Sequence, residues 1–273
     1  MRIFLSIRIF LFLILLAACN ASGQQKQEGV EVQKSRLLLL PASMVERSAA
    51  QQYGQLIGEA AQRGLLNNDA QQLERLRRIA RELIPHATRF NKNAGKWRWE
   101  VNLIASQTVN AFCMPGGKIA FFTGILESLQ LTDDEVSTIM GHEIGHALLE
   151  HGRARMSEEV LRNVGISVAA ALLNLGQVST EVLAQATNLA VSLPYARTQE
   201  SDADLVGLEL AARGGFDPRA AVAVWRKMSR LAQASGSGKP PQFLSTHPSN
   251  ENRIKAIEAN LPRVLPLYKN SRN

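Results

Sequence analysis

The sequence predicts an α+β fold that is mostly α-helical and contains one small β-sheet. In LERLRRIARELI, residues 73–84, apolar side chains recur at helical spacing. In WRWEVNLIA, residues 97–105, they alternate with polar ones, which is typical of a half-buried strand. Two short apolar runs then flank a Pro-Gly-Gly turn at residues 115–117, which indicates a strand, a turn and a strand. The 273 residues suffice for one sizeable core, and we expect a single folded domain over residues 41–273.

The N-terminus has the layout of a secretory leader. Arg2 and Arg8 come first, an apolar run over residues 9–16 follows, and small residues precede Cys19. The ending LAAC resembles the bacterial lipobox, in which the cysteine carries lipid and becomes the mature N-terminus. We therefore expect a lipoprotein signal peptide at residues 1–18. An uncleaved anchor or a plain secretory leader is the alternative.

The segment after this cysteine predicts where the protein is held. Residues 19–40 are polar at first and show no periodicity, so they indicate a flexible tether. A tether behind a lipid on Cys19 places the folded domain on the periplasmic side of a bacterial membrane. Asn20 after the cysteine favours the outer membrane, by resemblance to bacterial sorting rules.

Charge and cysteine usage exclude other classes of protein. The net charge is +7, but the chain has no clustered Lys/Arg tract, so we expect no nucleic-acid partner. A solubilising surface near anionic lipid is the simpler interpretation of the positive charge.

The two cysteines are Cys19 and Cys113, and lipid on the first would leave the second without a partner. We expect no disulfide.

The stretch IMGHEIGHALLEHG, residues 139–152, holds three of the five histidines in the chain. Thr132 and Glu135 form a capping-box pattern upstream of it, with acidic residues in the first turn. We expect the helix that starts there to continue to about Glu150, with a glycine just beyond its end.

His142 and His146 are four residues apart, so they share one helix face and can converge on one ion. Glu143 then projects toward a metal-bound water, as in the H-E-x-x-H pattern. His151 is rotated away from this face and is expected to complement the helix C-terminus. His86 is expected at the surface or in a loop. The alternative for the pattern is two surface histidines with an acid between them.

A second helix is expected to complete the site. In RTQESDAD, Glu200 and Asp204 are again four residues apart. One carboxylate can bind the metal, and the other can accept the free N–H of a ligating histidine. A fourth position would stay open for water. The alternative is a solvated acidic face, for which Glu209 is the plainer candidate.

Five segments in this order resemble zinc metallopeptidases of the gluzincin group that includes HtpX, the Oma-type proteases and the CAAX prenyl endopeptidases. The resemblance covers about residues 45–260 and is strongest to the periplasmic lipoprotein branch. It implies a zincin-like metallopeptidase domain, one Zn²⁺ per chain and Glu200 as the third ligand. The segments that carry it are NAFCMPGG, GHEIGHALLEH, RTQESDAD, GGFDP and THPSNENRI.

The same resemblance implies roles for residues outside the ligand set. Asn110, Ala111 and Phe112 would lie on an edge strand that borders the active-site cleft and aligns an extended peptide. His247 would donate to the oxyanion of the tetrahedral intermediate. Arg253 would assist it or brace the acidic residues behind the metal.

These expectations together describe a lipid-anchored zinc endopeptidase that cleaves misfolded or misassembled envelope proteins with metal-activated water. The alternative from another class is a zinc-containing, chaperone-like module that binds outer-membrane clients without cutting them. A third possibility is a latent enzyme, in which residues 164–193 cover the cleft or residues 234–242 form a lid. Residues 164–176 could also be a buried helix or a membrane-dipping segment.

Overall fold

The computed structural model describes residues 29–33, 37–174, 194–234, 240–248 and 251–272, with backbone only for 163–174. Two short 3₁₀ segments, Ile84–Arg89 and Lys92–Lys96, precede the sheet. None of the described helices is long and apolar enough to cross a membrane. The α-helices are α1 Ala42–Gln62, α2 Ala70–Leu83, α3 Thr123–Leu129, α4 Asp133–Leu148, α5 His151–Asn174, α6 Arg197–Arg213, α7 Ala220–Ala234, α8 Gln242–Thr246 and α9 Glu251–Ser271.

The small sheet has three strands, β1 Glu100–Ile104, β2 Ala111–Met114 and β3 Lys118–Phe122, in the order β1-β3-β2. Strand β1 is parallel to β3, and β2 is antiparallel to β3. The turn between β2 and β3 uses Gly116 and Gly117 at φ of 84° and 80°, which disfavours any side chain. The predicted strand, turn and strand are confirmed, and β2 is an edge strand.

Helix α4 lies at the centre of the core, where it packs against β2, α2, α6 and α7. Glycines allow α4 and α6 to approach closely. A Cβ atom on Gly207 would lie 2.7 Å from the backbone nitrogen of His142, and one on Gly141 would lie 3.0 Å from Cα of Gly207. Any larger side chain at these positions would push the two helices apart. The contact therefore fixes the distance between the two helices that carry the predicted ligands.

Part of the predicted tether is docked on the folded body. Val30 and Leu40 are buried, and the Val30 N–H donates to Glu209 Oε2 at 2.6 Å. The Leu40 N–H donates to Ser157 Oγ at 3.3 Å. A flexible segment is thus the wrong expectation for these residues, because buried groups of the domain bind their backbone.

Glu209 is fully buried and is not part of a solvated acidic face, as its pattern had indicated. It forms ion pairs with Arg89 and Arg213, at 2.7 Å for the latter. A buried carboxylate with two guanidinium partners and a backbone N–H is a structural anchor.

Several expectations fall on residues outside the described part of the chain. These are the signal peptide at 1–18, the lipid on Cys19, most of the apolar cover at 164–193 and most of the lid at 234–242. The backbone of residues 164–174 is helical. Helix α2 ends at Leu83, two residues before Pro85, and a 3₁₀ segment continues the chain.

Candidate metal centre

Helix α4 begins with the capping box that the sequence predicts. Thr132 Oγ1 accepts from the Glu135 N–H at 3.3 Å, and Glu135 Oε2 accepts from the Thr132 N–H at 2.8 Å. The helix ends at Leu148, two residues earlier than predicted. Glu150 then adopts a left-handed conformation with φ of 57°, and a new helix starts at His151. This break changes the direction of every side chain after Leu148.

Three side chains from α4 and α6 meet, two of them as the histidine spacing predicts and the third as the family resemblance implies. His142 Nε2 lies 3.1 Å from His146 Nε2. Glu200 Oε1 lies 3.3 Å from His146 Nε2, and Glu200 Oε2 lies 3.7 Å from His142 Nε2. All three residues are at most 2% exposed. The two helices therefore bring two imidazoles and one carboxylate to a single buried point.

This arrangement fits a zinc ion. Ligand atoms about 2.0–2.2 Å from a tetrahedral zinc are spaced at roughly 3.3 Å from one another, close to the separations observed here. His142 Nδ1 is hydrogen-bonded to Asp204, so its Nε2 presents a lone pair toward the Nε2 of His146. Glu143 Oε1 is buried and accepts no hydrogen bond from the described residues. Facing lone pairs and an unsatisfied carboxylate oxygen are expected where a cation and its water belong.

The charges lead to the same conclusion. Three buried carboxylates, those of Glu143, Glu200 and Asp204, lie around this point, and the guanidinium of Arg253 balances one of them. Burial lowers the pKa of His146 well below its ordinary value, so that ring is neutral near pH 7. Buried charge of one sign is costly unless it is paired. The carboxylates outnumber this one guanidinium, and a divalent cation would offset the excess of negative charge.

His247 occupies the fourth coordination position, which the sequence analysis expected to stay open for water. Its Nδ1 lies 3.2 Å from His142 Nε2 and 3.0 Å from Glu200 Oε1. The four side chains of His142, His146, Glu200 and His247 offer ligand atoms that all lie within 4.8 Å of one another. The expectation of an open fourth corner is wrong for this arrangement, because the His247 ring fills it. The other nitrogen, Nε2, lies 3.4 Å from Glu143 Oε1.

Asp204 contacts the ligand His142, and Arg253 in turn contacts Asp204. His142 Nδ1 lies 3.0 Å from Asp204 Oδ1. Arg253 donates from Nε and Nη2 to the two oxygens of Asp204, at 2.7 and 2.8 Å, and its guanidinium lies 3.7 Å from the centre of the Trp225 ring. Burial raises the pKa of Asp204, but Arg253 and His142 outweigh burial and lower it below its ordinary value. Arg253 thus lies where the bracing role predicted for it would be exerted.

His151 lies against the centre and does not point away from it. Its Nδ1 is 2.9 Å from Nδ1 of His146, and the residue is 1% exposed. Burial lowers the pKa of His151 to about 4, so the ring is neutral near pH 7 and can accept the Nδ1–H of His146. The predicted helix C-terminal role is wrong because the left-handed residue Glu150 redirects the chain before His151.

Tyr195 was not predicted as part of this region. Its ring stacks on that of His146 with 3.9 Å between centres and 27° between planes. Its backbone N–H donates to Thr246 O at 3.1 Å, which ties the segment before α6 to the segment that carries His247. The nearest signal in the sequence is its place two residues before α6, and periodicity could not have found it.

The predicted edge strand lies beside the metal centre, and α8 contacts the backbone just before the strand begins. Phe112 is part of β2, and the N–H of Ala111 donates to the side chain of Asn110 at 3.0 Å. The Phe243 N–H of α8 donates to Val109 O at 3.0 Å. Strand β2 packs on α4, and its far end lies near His146.

Comparisons with known proteins match this chain to metallopeptidases. It is 36% identical to the mitochondrial metalloendopeptidase OMA1 of Arabidopsis thaliana over 173 residues, which cover 63% of this chain and 34% of that protein. It is 29% identical to the human metalloendopeptidase OMA1 over 245 residues, 86% of this chain and 45% of that protein. It is 26% identical to the beta-barrel assembly-enhancing protease of Escherichia coli K12 over 210 residues, 74% of this chain and 41% of that protein. The matched region thus spans less than half of each of these three relatives.

A family model also matches this chain. The model of peptidase family M48, a zinc-dependent family, matches residues 70–261, which include α4, α6 and the segment with His247. That span is well over half of the chain and contains the three side chains that meet at the centre. The chain therefore belongs to peptidase family M48.

Proposed function

We propose that this protein is a zinc-dependent endopeptidase. The observation that carries the proposal is the position of Glu143: it is one residue from a ligand, buried, and has one oxygen without a hydrogen bond from the described residues. We assign His142, His146 and Glu200 as the metal ligands. Zinc bound there would polarise the scissile carbonyl and lower the pKa of its water toward ~7.

Glu143 is the proposed general base. Burial raises the pKa of Glu143 above its ordinary value, which brings it nearer to working pH and favours proton transfer in both directions. In this scheme Glu143 takes a proton from water and delivers it to the leaving amine. His247 has its Nε2 close to Glu143 and is the proposed donor to the oxyanion. Because its Nδ1 fills the fourth corner, this ring must turn aside before water and substrate enter together.

The substrate would bind as an extended peptide beside β2. An edge strand offers backbone groups that can pair with another chain, and this edge lies next to the ligands. Residues 110–112 are the proposed contact. Because the Phe243 N–H occupies the Val109 carbonyl two residues before β2, we expect the pairing to begin at residues 110–112 and to continue toward the end of the strand that lies near His146.

We further propose that the protein acts from the periplasmic face of a bacterial membrane, with outer-membrane anchoring through lipid on Cys19. The support is the sequence of residues 1–18 with its LAAC ending. The relatives in Escherichia coli carry the name beta-barrel assembly-enhancing protease, which supports misassembled envelope proteins as substrates here. Metabolic labelling with a palmitate analogue tests the anchor. Wild type should incorporate the label, and Cys19→Ala should not.

Purified full-length protein in detergent tests the activity itself. It should cut unfolded casein, lose this activity to a zinc chelator and regain it with added zinc. A protein that binds casein and leaves it intact, with zinc present, would instead support a chaperone-like binding module.

A further inference from the structure

A narrow cavity opens directly beside the metal centre. It lies between the end of β2, the C-terminal half of α4, the start of α5 and the start of α1. His146 belongs both to the ligand set and to the wall of this cavity. The cavity volume is about 30 Å³, and the wider space of about 530 Å³ between its walls includes the open solvent at its mouth.

The interior of the cavity is apolar. Most of the residues that line it are apolar, and two of these are methionines, whose flexible thioethers adapt to apolar groups of different shapes. Met156, one of these wall residues, is 1% exposed. The apolar and aromatic residues that line the cavity include Trp97, Cys113, Met114, Ala147, Met156 and Tyr195.

The charged groups at the mouth are already paired. Glu46 accepts a hydrogen bond from Trp97 Nε1 at 3.0 Å, and Arg153 donates to Glu150 at 2.6 Å. A charged guest would have to replace these partners, whereas an apolar guest only displaces water from the walls. The cavity therefore favours an apolar side chain.

We propose that this cavity is a specificity pocket that receives the apolar side chain of a substrate residue next to the scissile bond, and that Cys113 and Gly152 set its size. The proposal rests on the endopeptidase function above and deepens it. In an extended peptide alternate side chains point to the same side. A peptide aligned along β2 with its carbonyl at the ligands would direct one side chain past His146 into this space.

Cys113 forms one wall, on β2. It is 8% exposed, and burial raises the pKa of its thiol well above its ordinary value, so the group is neutral. A neutral buried thiol acts as a small apolar group. Replacing it with alanine removes one heavy atom from the wall and should deepen the cavity.

Gly152, on α5, also lines the cavity. A Cβ atom there would meet only Cγ of Pro115, at 3.8 Å, which is an ordinary contact. Its φ lies outside the left-handed region, so a side chain at this position is not strained. Gly152→Val should therefore narrow the cavity and leave the fold intact.

The test compares cleavage-site profiles on a peptide library, read by mass spectrometry, for the full-length protein and three variants. Wild type should favour an apolar residue at one position flanking the cut. Gly152→Val should lower kcat/KM for that residue by about 10-fold or more relative to alanine at the same position, and Cys113→Ala should tolerate larger residues. Ile125→Val is the matched control, because it also removes buried apolar volume but lies outside the cavity, and its profile should equal wild type.

Each outcome separates this proposal from the proposed function. Unchanged preferences in both variants, with cleavage intact, would overturn the pocket and leave the endopeptidase standing. Absence of cleavage by zinc-loaded wild type would overturn the endopeptidase function itself. Zinc content and thermal unfolding show whether each variant folds. If neither cavity variant folds, the wild-type cleavage profile tests the proposal by itself. A lack of apolar preference at both positions flanking the cut would contradict the pocket.

Discussion

Asp204 Oδ1 lies 3.0 Å from Nδ1 of His142, and this contact fixes which nitrogen of the ring faces the ligand cluster. Replacing Asp204 with asparagine removes the charge but keeps the shape. Loss of such a partner typically costs 10- to 100-fold in metal affinity, so we expect Asp204→Asn to bind zinc more weakly by about that factor. Competition with a chromogenic chelator measures it.

Asp202 provides the control for this change, since it lies on the same helix and contacts the backbone of Gln33 at 3.4 Å, away from the ligands. Asp202→Asn should bind zinc as wild type does. Equal affinity in the Asp204 and Asp202 variants would show that Asp204 does not orient His142.

Glu143→Gln should keep zinc and lose catalysis. The amide retains the size of the side chain but cannot accept the water proton, and general-base catalysis typically contributes 10²- to 10⁴-fold. We expect kcat for casein-derived peptides to fall by about that factor with zinc at one equivalent. Glu127→Gln, an exposed change on α3, serves as the control. Retained turnover in a fully metallated Glu143 variant would remove this residue from the mechanism.

His247→Ala should retain the metal, because two histidines and one glutamate remain as ligands. In the cobalt-substituted protein the visible spectrum should change, as water replaces the ring at the fourth corner. His86→Ala, a change outside the ligand cluster, should leave the spectrum as it is. A spectrum identical to wild type in the His247 variant would mean that its Nδ1 does not approach the metal.

Asp133, the first residue of α4, should give a pH-dependent contribution to stability. Burial raises its pKa, but hydrogen bonds from Arg75 and Arg78 outweigh burial and lower it below its ordinary value. The ionised group therefore stabilises the fold above its unfolded pKa of about 3.9, and this stability is lost as the pH falls through the lower folded value. Because the side chain is 42% exposed, we expect at most about 1 kcal/mol.

Urea unfolding of wild type and Asp133→Asn measures this difference. The free energies of unfolding should differ at pH 7 and converge as the pH falls through the lowered folded pKa of Asp133, where the wild-type carboxyl becomes protonated. If the free energies of unfolding of the two proteins differ by the same amount at every pH, the effect arises from helix geometry and not from the charge of Asp133.

The pairing of the two histidines of the proposed metal site could be predicted because it depends on local geometry. Residues four apart on a helix share a face whatever the rest of the chain does, so His142 and His146 were certain to be neighbours once α4 formed. The capping box at Thr132 was equally local. Glu200 needed the resemblance to the family, because spacing alone does not say which distant carboxylate joins them.

Other features depend on contacts that no local pattern encodes. The position of His151 follows from one left-handed residue, Glu150, and extrapolating the α4 helix past it gave the wrong direction. Val30 and Leu40 dock because buried groups far along the chain bind their backbone N–H groups. His247 at the fourth corner likewise depends on how α8 packs, which the sequence does not state.

Zinc binding by wild type and Glu200→Ala tests the central claim most directly, since it asks whether a carboxylate from α6 joins the two imidazoles of α4 at one ion. Chelator competition should give one equivalent of tightly bound zinc for wild type and a dissociation constant at least about 10-fold higher for the variant. Equal affinity in the two proteins, with both folded, would contradict the account.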